Sequence, residues 1–225
     1  MIDIKIKRIV PLMIVLALLC LSSCDGMQSA LMYIGIDLHD YDSEETIRTL
    51  RTYDDECEKL KIILGVVIQD TTEVREFSGF SEAANYFTDE ILTFLTNTRF
   101  SKYNGNVTLM NELEKEYPGL FVTTIIPASD FDTALQKYFG AGSSVPHPSG
   151  TLFRYMKKVN MYITEVQPPK PDTEITVISC EETENTYRMI IEVSAEDQAT
   201  NTYRALFAKR KNSDPYFRSL KSLDE

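Results

Sequence analysis

The hydrophobic period of this chain changes once along its length, and the change limits it to a mixed architecture. Up to about residue 139 apolar residues recur every three or four positions, whereas beyond residue 150 they alternate. Tyr187, Met189, Ile191, Val193 and Ala195 alternate with Arg188, Glu192 and Ser194, and only Ile190 breaks the rule. A helix repeats its faces every 3.6 residues or so and a strand every two, so no segment satisfies both. Helices first and an antiparallel sheet last define the α+β class.

The spacing predicts a first helix from Ser43, which precedes Glu44 and Glu45, to about Gln69. Its apolar face is Ile47, Leu50, Tyr53, Cys57, Leu60, Leu64 and Val67. A second runs from Ser81 to about Asn97 on Ala84, Phe87, Ile91, Phe94 and Leu95. Ser101 to Asn106 reads as a polar loop. A short helix from Leu109 to Glu116 is stopped by Tyr117-Pro118-Gly119, and a strand covers Leu120 to Ile126. Ser129 caps a further helix with Phe131, Leu135, Tyr138 and Phe139 on its apolar side, ended by Gly140.

After a loop over Ala141 to Gly150, strands follow at Phe153–Tyr155, Met161–Val166, Glu174–Glu181, Tyr187–Ala195, Tyr203–Lys209 and Tyr216–Leu220. The three prolines of Gln167 to Asp172 mark an extended surface turn. The expected fold is N-terminal helices followed by an antiparallel β-meander packed on a helix. Over residues 129–225 this order resembles the cystatin-like and NTF2-like folds. The likeness implies a helix across a curved sheet and carries no function.

The N-terminus reads separately. Lys5, Lys7 and Arg8 precede an uncharged run from Ile9 to Leu21, then Ser22, Ser23 and Cys24. A basic segment, an apolar stretch and small residues before a cut site form a secretory signal. The run is short of the roughly 20 residues that span a bilayer. Leu21-Ser22-Ser23-Cys24 resembles the lipobox of bacterial lipoproteins. That resemblance implies a diacylglyceryl group on the Cys24 sulfur and cleavage just before it. The expected organisation is a signal peptide over 1–23, a lipidated N-terminus and spacer over 24–42, and an exported domain over 43–225, with a possible division near 120–128. The partner implied is a membrane, reached through lipid on Cys24, and the location is extracytoplasmic. Asp25 resembles the inner-membrane retention signal of enterobacterial lipoproteins, although the type of envelope stays open.

Composition narrows the function classes. The chain is 43% hydrophobic and 10% aromatic, which fills a core. Removing residues 1–23, with three bases and one acid, takes the net charge from −11 to −13. A basic footprint for nucleic acid is absent. The acidity is lopsided: residues 37–90 hold 15 acids and 5 bases, and residues 150–225 hold 12 and 11.

Candidate chemistry is sparse. His39 lies among Asp37, Asp40 and Asp42, which could offer oxygen to calcium, but an EF-hand's sixth-position glycine and distant glutamate are missing. No metal or cofactor is implied. His147, fixed between Pro146 and Pro148, is a candidate ligand contact. Cys57 and Cys180 each fit an apolar position, so both read as buried thiols, and export leaves a bridge open. Lys209-Arg210-Lys211 reads as a solvated strand end. The chain contains no G-x-S-x-G, H-E-x-x-H, C-x-x-C or P-loop. The expected function is a non-enzymatic module binding a protein, peptide or small molecule. The alternative is a cell-envelope hydrolase-like enzyme with its site near His147.

Overall fold

A computed structural model describes residues 43–68, 74–140, 145–170, 173–195, 200–211 and 213–224. The secretory signal, the spacer, Cys24, Asp25 and His39 lie outside the described residues. Contacts divide the chain into Met1–Ser43 and Glu44–Glu225, and every strand and helix named here belongs to the second unit.

The predicted α+β class holds. The strands are β1 (Arg48–Leu50), β2 (Phe77–Ser78), β3 (Thr124–Pro127), β4 (Arg154–Met156), β5 (Met161–Thr164), β6 (Thr173–Glu182), β7 (Thr186–Ala195), β8 (Asn201–Arg210) and β9 (Ser213–Ser222). The helices are α1 (Asp55–Val67), α2 (Phe80–Tyr86), α3 (Thr88–Thr98), α4 (Phe100–Tyr103), α5 (Val107–Glu116) and α6 (Ala128–Phe139). Among the described residues the strands form two antiparallel sheets, ordered β1-β6-β7-β8-β9-β2 and β3-β5-β4.

The meander is where the alternation predicted it. Met189, Ile191 and Val193 of β7 turn inward beside Tyr203, Ala205 and Phe207 of β8, and all six are buried. Helices α1 and α6 pack on this layer against β6 and β9. The register of β6 shifts between Val177 and Ser179, which leaves Ile178 as the extra residue and half exposed. Phe77 bonds the layers edge-on, 5.2 Å from Phe87, 5.7 Å from Phe139 and 4.9 Å from Phe217 between ring centroids.

Several expectations need correction. The first helix starts at Asp55, not Ser43. Residues 48–50 pair as an edge strand, Arg48 with Glu182 and Leu50 with Cys180, and Asp54 closes a turn by accepting the Arg51 N–H at 2.9 Å. Sheet pairing overrode the helical spacing there, so Ile47 and Tyr53 are exposed. The second helix breaks at Phe87, whose φ of −111° and ψ of 28° aim its ring into the core and start α3 afresh. The polar loop at 101–106 holds helix α4, because Tyr103 is fully buried and draws the segment inward. Ser129 lies inside α6 and Pro127 precedes the first turn, so the serine does not cap it.

Strands β4 and β5 also leave the meander and join β3 in the small sheet. Period two explains how that sheet serves two cores. Ile126 and Tyr162 face the main core, whereas Ile125 and Ile163 face a satellite core with Leu113 of α5. Helix α5 starts where Asn106 Oδ1 accepts the N–H groups of Thr108 and Leu109 at 3.1 and 3.2 Å. Among the described residues no helix is long and apolar enough to cross a membrane.

Candidate functional site

One loop, between α6 and β4, carries both polar features that a ligand could meet. Its described part begins at Val145 and it is fastened at both ends by carboxylates. At the first end His147 Nε2 lies 2.7 Å from Asp132 Oδ1, which the second turn of α6 presents. The neighbouring prolines restrict the backbone, and the imidazole is partly buried among rings. Tyr155 lies 4.9 Å away, and Phe131 and Tyr162 are each 6.2 Å away between centroids. Tyr155 OH donates to Asn160 Oδ1 at 2.6 Å.

Tyr162 OH is fully buried and has no hydrogen-bond partner among the described residues. Burial pushes its pKa far up, and the nearby Tyr155 and Asp132 add to this, so the phenol stays neutral. His147 therefore has an orienting acid and an aromatic wall. Among the described residues no hydroxyl or thiol hydrogen-bonds its ring, so the arrangement can orient a proton donor or acceptor but lacks an adjacent nucleophile.

At the second end Asp89, in the first turn of α3, gathers the chain around its carboxylate. Oδ2 accepts the N–H of Thr151 at 2.6 Å, its hydroxyl at 2.8 Å and the N–H of Leu152 at 3.0 Å, and Oδ1 accepts the N–H of Phe153 at 2.9 Å. A carboxylate holding successive backbone donors is a strong, charge-assisted clasp. Between α2, α3 and this loop opens a cavity of about 510 Å³. Arg75, Tyr86, Glu90, Ser149, Thr151 and Pro169 are on its wall. Asn97 Nδ2 donates to Pro169 O at 3.1 Å and fixes the proline-rich turn as its far edge.

Of the residues singled out in the sequence, His147 thus sits on the loop that edges this cavity. Asp132 was missed as the partner of His147, and Asp89 as the acceptor that holds residues 151–153. Thr88-Asp89-Glu90 has the acidic look of a helix start, a signal masked by the continuous spacing across Phe87. Lys209 and Arg210 are engaged within the domain. Lys209 Nζ contacts Glu182 Oε1 at 2.7 Å, and Arg210 Nη2 donates to Gln136 O at 2.7 Å on the last turn of α6. Cys57 and Cys180 are buried free thiols. No group of three or more His, Cys, Asp or Glu suited to a metal occurs among the described residues.

Comparison with protein-family models, with curated proteins and with solved structures finds no match to this chain.

Proposed function

We propose that this chain is a lipid-anchored extracytoplasmic lipoprotein whose domain binds a small molecule or peptide in the cavity beside the 145–153 loop. The observation that carries the binding reading is the clasp of that loop by Asp89 and Asp132. It holds a cavity of about 510 Å³ with a preformed wall. Ligand sites are commonly preformed clefts of roughly 300–1,000 Å³ with a few fixed polar groups. Leu21-Ser22-Ser23-Cys24 behind a basic and apolar leader supports the anchor. Helix α6 packed on the sheet that holds the consecutive strands β6 to β9 supports a cystatin-like or NTF2-like arrangement.

Two experiments test the reading. Cys24→Ala should abolish labelling by radioactive palmitate and leave an uncleaved precursor, and persistence of labelled, processed protein would sink the anchor. For the site, thermal-shift screening of small polar molecules and short peptides should yield ligands whose effect is lost in Thr151→Trp, which adds bulk at a wall residue of the cavity. Ligands indifferent to that change would bind elsewhere. The hydrolase reading draws support from the His147–Asp132 hydrogen bond alone. It requires turnover of an ester or amide substrate that His147→Ala abolishes.

A further inference from the structure

Cys57 stands in the first turn of α1 and Cys180 in β6, opposite Leu50 of β1 and Met189 of β7. The two residues are 123 positions apart, yet α1 packs against β6, both side chains belong to the same core cluster, and each thiol lies near enough to influence the other. Both are buried in the main core, at 1% and 0% exposure. We infer that Cys57 and Cys180 are a disulfide site, closed during folding by a disulfide-carrying oxidant, that staples helix α1 to strand β6. The oxidant's availability in the cell rests on the proposed extracytoplasmic location, since disulfides persist in oxidising compartments.

The chemistry is thiol–disulfide exchange. One cysteine thiolate attacks the oxidant's disulfide, forming a mixed disulfide and releasing one oxidant thiolate. The second cysteine thiolate then attacks the protein sulfur of that mixed disulfide and releases the other. One S–S bond forms in the protein and one is lost in the oxidant, which takes two electrons. The two protons leave to solvent.

Burial sets the timing. It raises the pKa of Cys57 and pushes that of Cys180 up to about 12, so at pH 8 about one Cys180 in ten thousand is a thiolate. The folded core also excludes a bulky oxidant. The bond therefore forms before α1 docks on β6, and the same burial afterwards shields it from reductants.

The test uses the full chain, denatured with reductant and refolded with oxidised glutathione. Free thiols are then alkylated under denaturing conditions and the protein is mapped by mass spectrometry. The expected product is one cross-linked pair of peptides joining Cys57 to Cys180, lighter by two hydrogens than the reduced pair. The natively folded reduced chain, given the same oxidant, should stay alkylatable at both sites. Alkylation or glutathione capping of both residues after refolding, or a link to Cys20 or Cys24 instead, would overturn the proposal. Because Cys57→Ser and Cys180→Ser chains could fail to fold, a second measurement uses wild type alone: the oxidised chain should have a higher urea midpoint than the reduced chain. An equal or lower midpoint would overturn the staple. Acid-trapping in cells separates the two readings. A bond that forms on refolding yet is absent in cells counts against the location and leaves the site standing.

Discussion

Asp89 and Gly150 approach so closely that a β-carbon at position 150 would stand 2.0 Å from Asp89 Oδ1. Glycine is there because a carboxylate occupies the space a side chain would need, and the nearness lets three successive N–H groups reach that carboxylate. Gly150→Ala should therefore push Asp89 out of its clasp, and Asp89→Ala should orphan the same donors. Each is expected to cost about 2–4 kcal/mol in denaturant unfolding. Asp89→Asn, which keeps one carbonyl acceptor, should cost less. A neutral Gly150→Ala would show that the loop does not need the clasp.

Tyr162→Phe is the opposite kind of change. A buried hydroxyl without a partner contributes only its desolvation cost. The substitution should be neutral or stabilising by up to about 1 kcal/mol, read from the urea midpoint. A loss greater than that would mean the hydroxyl has a partner in the folded protein.

Acid should loosen two ion-paired sites. Hydrogen bonding from Lys209, then from Arg48, outweighs desolvation and holds the Glu182 carboxyl below its ordinary value. Desolvation raises the pKa of Asp130, but hydrogen bonds from Lys102, at 2.5 Å, and from Tyr103, at 2.6 Å, outweigh it and leave it lowered. Carboxyls depressed in the folded state bind fewer protons there than when unfolded, so their stabilisation is complete above the ordinary carboxylate range. It is lost as pH falls through the folded values. Stability plotted against pH should fall below about 4.5, the ordinary glutamate value. In Glu182→Gln and Asp130→Asn that acid limb should be shallower, and an unchanged slope would exclude both groups as its source.

Glu44 fastens the turn between β6 and β7. Its carboxylate accepts the Thr183 hydroxyl, the Asn185 Nδ2 at 2.8 Å and the Thr186 hydroxyl at 3.3 Å. Thr183 and Thr186 are buried, so removal of the acceptor leaves their network incomplete. Glu44→Ala should cost about 1–3 kcal/mol and raise amide exchange at 183–186 before the rest of the sheet. Exchange that rises evenly across the sheet would contradict a local role.

The sequence by itself determined the elements whose period is local. Strands β6 to β9, helices α5 and α6 and the buried face of α1 from Cys57 to Val67 follow from residues a few positions apart. Only the tertiary structure decided what depends on distant pairing. Arg48 to Leu50 became a strand because β6 offered an unpaired edge, and β5, with β4 paired to it, left the meander because β3 gave β5 a partner. The site belongs to the same class. Asp132 meets His147 across 15 positions, Asp89 meets Thr151 across 62, and Cys57 meets Cys180 across 123. Hydrophobic periodicity specifies which face of an element turns inward. It does not specify which residue of another element waits there, and that was settled by packing two sheets and their helices around shared cores.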